Sequence, residues 1–196
     1  MTVPLHDTDV MAQLRAGTHE RHVALEASDW LAAALRDRAA YAEHLARVAA
    51  FRAASSTALA PFAAQFSAHG FAPEARDAGP ALARERAALG EAGFALPDAA
   101  VPAFPPLATF SAAVGCAYVL AGSTLGGRLI ARSVRERLAW DSAFYDLYGA
   151  ETGTMWRAFG EAVRGLGGAF VPAEAIAAAD ATFVAYGASI ADIDLT

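Results

Sequence analysis

The chain has 196 residues, 56% hydrophobic and 18% charged, which predicts one globular domain over residues 1–196 with its core within about 10–190. Every basic residue is arginine, and the net charge of -6 argues against a nucleic-acid-binding surface. Without a signal-like start or a run of ~20 uninterrupted apolar residues, we expect a cytoplasmic protein that does not contact a membrane. The single cysteine, Cys116, excludes an internal disulfide and suits a reducing compartment.

The composition is rich in alanine and poor in strand formers, which predicts an all-α fold. Asp7, Thr8 and Asp9 can cap the first helix, Pro61 should end or kink the third, and Pro172 should open the last. Four prolines in 96–106 predict an extended connector. The predicted helices span about 10–27, 30–35, 39–60, 80–93, 109–138, 140–148, 152–166 and 172 to the C-terminus.

The first predicted helix carries a histidine on an apolar stripe. At about 100° per residue, the stripe comprises Met11, Leu14, Thr18, His22 and Leu25. A neutral imidazole is a good axial ligand for haem iron, and Glu26, one turn on, can accept the other ring N–H. The alternative, a core histidine bonded to a carbonyl, is the commoner arrangement for such a residue.

Two other histidines compete with His22. His44 lies on an apolar face of the third helix, where a histidine at the edge of the core is the commoner arrangement. His19 and His22 form an H-x-x-H pair, which is by itself a weak indication of a metal site.

The long helix predicted over 109–138 contains glycines at 115, 122, 126 and 127. Each costs about 1 kcal/mol relative to alanine in a helix interior, so together they cost roughly 3–4 kcal/mol. Their face of the helix could admit a ligand to within contact of the backbone. That face comprises Ser111, Gly115, Tyr118, Gly122 and Gly126. Close helix–helix packing through Gly122 and Gly126 is an equal alternative.

Together these segments resemble the biliverdin-producing haem oxygenases, most closely the bacterial branch associated with bacteriophytochromes. The family's opening motif, L-R-x-x-T-x-x-x-H-x-x-L-E, is matched by Leu14, Arg15, Thr18, His22, Leu25 and Glu26. Its Y-V-x-x-G-S-T-L-G-G motif is matched at 118–127, and its Y-G-x-x-T-G-x-x-W segment is similar to 148–159. Residues 178–183 resemble the family's last helix, so the resemblance extends over about 10–190.

The resemblance implies a helical bundle with haem between the first helix and the glycine-rich helix. His22 would be the proximal iron ligand, with Glu26 as its hydrogen-bond partner and Arg15 near a haem propionate. The catalytic side would comprise Ser123, Gly122 and Gly126. The other residues at the haem would be Arg15, Thr18, Glu26, Tyr118, Gly122, Gly126 and Gly127. Ser123 stands where the animal enzymes have an aspartate, which is a departure from their pattern.

The implied reaction uses haem as both substrate and cofactor and molecular oxygen as co-substrate. Its products are biliverdin, carbon monoxide and ferrous iron. The implied partners are an electron donor, such as a ferredoxin or a reductase, and a bacteriophytochrome that receives biliverdin. The main alternative is a catalytically silent protein that binds or carries haem.

Three further patterns bear on function. The sequence argues against a di-iron carboxylate site, because no glutamate has a histidine three residues later. Cys116 has no neighbouring base or cation that would activate it as a nucleophile. A basic run could dock an acidic electron donor, although a solvated helix face is an equal explanation. The run comprises Arg128, Arg132, Arg135 and Arg137.

Overall fold

The computed structural model describes residues 9–71 and 77–191, and over those residues the fold is all-α, without β-strands. The helices are α1 (Val10–Gly17), α2 (His19–Ala27), α3 (Trp30–Ala34), α4 (Arg38–Leu59), α5 (Ala63–Ala68), α6 (Gly79–Glu91), α7 (Phe110–Leu138), α8 (Thr152–Arg164) and α9 (Pro172–Ala191). Residues 96–106 form the predicted connector without regular secondary structure.

The first predicted helix is divided into α1 and α2 at Thr18. Asp9 caps α1 by accepting the Met11 N–H at 3.1 Å, whereas Asp7 and Thr8 lie outside the described residues. Thr18 ends α1 and precedes α2, and its hydroxyl donates to the Leu14 carbonyl at 2.8 Å. The stripe calculated at about 100° per residue assumes one uninterrupted helix, so it does not apply to residues beyond Thr18.

Pro61 kinks the chain without ending its helical path. Asp37 caps α4 by accepting the Ala40 N–H at 2.8 Å, and α4 runs to Leu59. Pro61 then lies in a single 3-10 turn, Ala60–Phe62, because it has no N–H to donate within an α-helix. Helix α5 follows directly.

The prediction of a helix over 140–148 is wrong, because the chain forms turns there. Helix α7 ends where Ala139 adopts a left-handed conformation with φ 48°. The buried Glu85 carboxylate accepts the Phe144 N–H at 2.7 Å and the Ser142 hydroxyl at 3.0 Å. The Ser142 hydroxyl in turn accepts the Tyr145 N–H at 3.0 Å. These side-chain acceptors satisfy backbone donors that would otherwise favour a helix.

Helix α7 is central and packs against α4, α8 and α9. At Gly115 a Cβ would overlap the backbone of Ala175, so the glycine lets α9 approach closely. Helix α2 also packs against α9. Because α2 and α7 share this support, α9 fixes the two helices that carry the predicted site.

Within the described residues, α7 is long and apolar enough to cross a membrane by length and composition, with a mean hydropathy of 1.3 over its best window. In that window 44% of the residues are buried inside the protein. The core helix of a soluble protein meets the same test, so this feature is weak evidence of a membrane span.

Candidate functional site

A cavity of about 720 Å³ lies between α2 and α7, within the usual size range of small-molecule sites. The predicted site residues all line it, although they come from segments about a hundred residues apart. They are Arg15, Thr18, His22, Glu26, Tyr118, Gly122, Ser123, Gly126 and Gly127. The structure therefore brings the two sequence motifs together around one space.

His22 faces this cavity and is not a core residue. Its side chain is 56% exposed, whereas the other members of its predicted stripe are buried. Its Nδ1 lies 3.5 Å from Glu26 Oε2, and its ring meets the Phe183 ring edge-on with 5.9 Å between centroids. Among the described residues no hydrogen bond engages Nε2. The prediction that His22 lies at the centre of a buried stripe is thus wrong, and so is its alternative, a core histidine bonded to a carbonyl.

His44 is instead the core histidine. It is buried, stacks on Trp30 with 5.2 Å between ring centroids, and its Nε2 is hydrogen-bonded to the Tyr145 hydroxyl. Burial lowers the pKa of His44 to about 3, with a smaller contribution from Arg47. His44 does not line the cavity, so it does not compete with His22 as a ligand.

The glycines of α7 separate into two groups. A Cβ at Gly126 would meet nothing within 4 Å, and one at Gly122 would lie 3.6 Å from the Trp156 ring. Both line the cavity, so helix–helix packing does not explain them. A Cβ at Gly127 would lie 2.8 Å from the Tyr145 carbonyl oxygen, and Gly115 packs against α9. Gly127 also lines the cavity, but the prediction that Gly115 belongs to the ligand face is wrong.

Tyr118 and Thr18 link the two walls of the cavity. The Tyr118 side chain is hydrogen-bonded to Thr18 at the break between α1 and α2, and burial raises the pKa of the phenol. The Tyr118 ring lies 5.6 Å from the Trp156 ring, centroid to centroid. Arg15 is exposed and supplies a cation to the cavity lining.

Ser123 carries a hydroxyl that is already engaged on two sides. Its Oγ donates to the Leu120 carbonyl at 2.8 Å and accepts from Arg52 Nη2 at 2.9 Å. Because the hydroxyl has one hydrogen, Ser123 in this arrangement can only accept a further bond. The contact also brings α4 into the site.

Arg52 is a lining residue that sequence reasoning missed. Its side chain is half-buried, and its guanidinium lies over the Phe144 ring, 5.6 Å from the centroid. It lines the large cavity and also a smaller one of about 340 Å³. An arginine among the apolar residues of α4 was the available signal, but the sequence does not show which elements α4 packs against.

Neither Cys116 nor a cluster of metal-binding side chains indicates a second kind of chemistry in the described residues. Burial raises the pKa of the Cys116 thiol to about 12, so the thiol is protonated and inert, as predicted. Across 9–71 and 77–191, no group of three or more His, Cys, Asp or Glu side chains could hold a metal ion. Two imidazoles line the cavity, those of His19 and His22, and His22 Nδ1 lies 3.5 Å from the Glu26 carboxylate.

Comparison with known proteins supports a relationship to the haem oxygenases. The chain is 40% identical to a heme oxygenase of Xanthomonas campestris pv. campestris (strain 8004). The alignment covers 108 residues, which is 53% of this chain and 61% of that relative, so the chain spans less than two thirds of the relative's length. No family model matches, and no solved structure matches.

Proposed function

We propose that this protein is a haem oxygenase that cleaves haem with molecular oxygen to biliverdin, carbon monoxide and ferrous iron. The observation that carries the proposal is one cavity lined by His22 on α2 and by Gly122 and Gly126 on α7. An imidazole that shares a cavity with two glycines, whose backbone carries no side chain, suits a flat tetrapyrrole with an open side for oxygen. The similarity to a heme oxygenase supports the same assignment.

The lining residues fit haem in chemistry as well as in volume. The cavity is walled largely by apolar side chains, among them Leu25, Leu129, Ile130 and Phe183, as a porphyrin ring requires. His22 would hold the iron through Nε2, and Arg15 would hold a propionate. Gly126, where a Cβ would meet open space, would let the ring approach the backbone.

The chain's own residues would orient and enclose the substrate. Bound haem would supply the iron that activates oxygen and the ring carbon that is oxidised. Glu26 would orient the His22 ring through Nδ1, which leaves Nε2 directed to the iron. Gly122 and Gly126 would keep the opposite side narrow, and Ser123 would accept a hydrogen bond from water there.

We further propose that α7 presents the surface for an acidic electron donor such as a ferredoxin or a reductase. The basic run is exposed, but Arg132 lies 3.4 Å from Glu136 and Arg135 lies 2.5 Å from Asp141. Arg128 and Arg137 form no ion pair among the described residues, so they would contribute most of the attraction. In this proposal the protein acts in the cytoplasm, and a bacteriophytochrome takes up the biliverdin.

The test is to add hemin to the purified protein and then ascorbate or a ferredoxin system under air. We expect a Soret band of histidine-ligated haem that is replaced by bilin absorption. A stable Soret band without bilin would overturn the enzyme and select the haem carrier. No Soret band would overturn both.

A further inference from the structure

We propose that Arg52 stabilises negative charge on small ligands of the haem iron, an inference that rests on the proposed haem oxygenase function. The ligand class is a small anion, such as fluoride or hydroxide, bound on the side of the cavity formed by α7. In this role Arg52 acts from α4, which the sequence motifs do not include.

Arg52 lies close to the part of α7 that lines the cavity. Its Nη2 lies 2.9 Å from Ser123 Oγ, and Ser123 is adjacent to the cavity-facing Gly122. The side chain lines both cavities, where they share a wall formed by Arg52, Thr124, Leu147 and Trp156. The guanidinium therefore lies beside the glycine-lined wall.

The positive charge of Arg52 is not balanced by a carboxylate among the described residues. Within the described ranges, no carboxylate lies within ion-pair distance of the guanidinium. Its electrostatic neighbours are the hydroxyl and thiol groups of Tyr145, Tyr148, Tyr186 and Cys116. Asp77 also lines the smaller cavity, but it accepts the Gly79 N–H at 2.9 Å and forms no ion pair with Arg52.

A half-buried cation without a counter-charge attracts an anion more strongly than an exposed one does. Burial lowers the pKa of Arg52, although arginine remains protonated in proteins. The guanidinium has five N–H donors, and one hydrogen bond, to Ser123, is formed among the described residues. Donors thus remain for a ligand in the cavity.

Ser123 has the complementary role of holding Arg52 in place. Its hydrogen is donated to Leu120, so its Oγ presents lone pairs to the guanidinium. Loss of the serine hydroxyl should therefore affect anion binding less than loss of the arginine charge.

The test compares Arg52→Gln, Arg52→Lys and Ser123→Ala in their ferric haem complexes. We expect Arg52→Gln to weaken fluoride binding on the order of tenfold, because a charge-assisted hydrogen bond is lost. The pKa of iron-bound water should rise by about one unit in this variant, because the guanidinium favours hydroxide. Arg52→Lys should recover most of the fluoride affinity, and Ser123→Ala should lose less of it than Arg52→Gln.

Arg47→Gln is the matched control, since Arg47 is exposed on the same helix and lines neither cavity. It should leave fluoride affinity and the water pKa unchanged. If Arg52→Gln does not fold, Arg52→Met keeps an unbranched side chain that can still contact the Phe144 ring, and it gives the same two measurements.

The outcomes separate this inference from the proposed function. Soret titration of the wild type comes first, and a protein that binds no haem overturns both. If haem binds with a histidine-ligated spectrum while removal of the arginine charge changes neither quantity, the role of Arg52 alone is overturned. An equal effect of Arg47→Gln would also overturn it, because the effect would then reflect net charge.

Discussion

At the scale of single residues, His22 combines exposure to the cavity with contacts to Glu26 and Phe183. Glu26, one helical turn later, lies 3.5 Å from Nδ1, and Phe183 contacts the ring edge-on. A carboxylate on one ring nitrogen sets the tautomer and directs the other nitrogen to a metal. His44 has the opposite properties, since it is buried and its Nε2 is already hydrogen-bonded to Tyr145.

We predict that His22→Ala abolishes the histidine-ligated spectrum of the ferric haem complex. Added imidazole should restore that spectrum, because it can occupy the space left by the ring. Absorption and electron paramagnetic resonance spectra of the complex measure the ligation.

His44→Ala is the control for His22→Ala. It should lower stability because it empties a buried site, yet it should keep the histidine-ligated spectrum. Loss of this spectrum in His44→Ala, together with its retention in His22→Ala, would show that our assignment of the ligand to α2 is wrong.

At the scale of elements, α7 uses its glycines in two ways. Gly115 and Gly127 allow backbone from other segments to approach, whereas Gly122 and Gly126 contribute backbone without side chains to the wall of the cavity. The sequence shows the unusual number of glycines in this helix but not what each one faces. That depends on where α9 and the turns after α7 lie.

We predict that Gly126→Leu obstructs binding of carbon monoxide to the ferrous haem complex while the His22 ligation persists. The new side chain would extend into the cavity, where a Cβ meets nothing within 4 Å. Gly126→Ala should bind carbon monoxide more nearly as the wild type does. Carbon monoxide titrations monitored at the Soret band measure the effect, and unchanged affinity in Gly126→Leu would place this glycine away from the ligand.

We predict that Gly115→Ala destabilises the fold by about 1–3 kcal/mol, because the added methyl overlaps the backbone of Ala175 and forces α7 and α9 apart. The control is Gly90→Ala in α6, where a Cβ meets nothing within 4 Å. This change should raise stability by up to about 1 kcal/mol through helix propensity. Urea unfolding of the two variants measures both values, and a stabilised Gly115→Ala would contradict the packing role.

The sequence predicts most elements because their signals are local. Pro172 begins α9 as expected, and the starts of α7 and α6 have local signals in the Thr109 cap and in Pro80 of the first turn. The turns over 140–148 were not predictable, because they depend on the buried Glu85 from α6. Arg52 was missed for the same reason, since its contact with Ser123 joins residues 71 positions apart.

At the scale of the whole molecule, buried polar groups join distant segments. The Glu85 carboxylate accepts hydrogen bonds from Tyr41, Trp140 and Ser142, and the Tyr41 hydroxyl oxygen also lies 2.8 Å from Ser142 Oγ. His44 meets the same region through Tyr145. This network connects α4, α6 and the turns beside the cavity, so the charge state of its members bears on global stability.

We predict that the fold loses stability in mild acid because of His44. Its pKa is about 3 in the folded protein and 6.5 in the unfolded chain. The unfolded chain therefore binds a proton as the pH falls below 6.5, whereas the folded protein does not until about pH 3. The stabilisation is complete above 6.5 and is lost progressively as the pH falls towards 3. Between about pH 7.5 and about pH 5.5, His44 should lower the free energy of unfolding by about 1.4 kcal/mol.

His44→Gln isolates this contribution, because glutamine is neutral at both pH values. Urea unfolding should show a smaller loss of stability in His44→Gln than in the wild type, by about 1.4 kcal/mol. The control His19→Gln changes an exposed histidine and should keep the pH dependence of the wild type. His44→Gln can be less stable than the wild type at both pH values without affecting the test. The quantity compared is the change in the free energy of unfolding of each protein between the two pH values. An equal loss in wild type and His44→Gln would show that His44 accepts a proton in the folded protein as readily as in the unfolded chain.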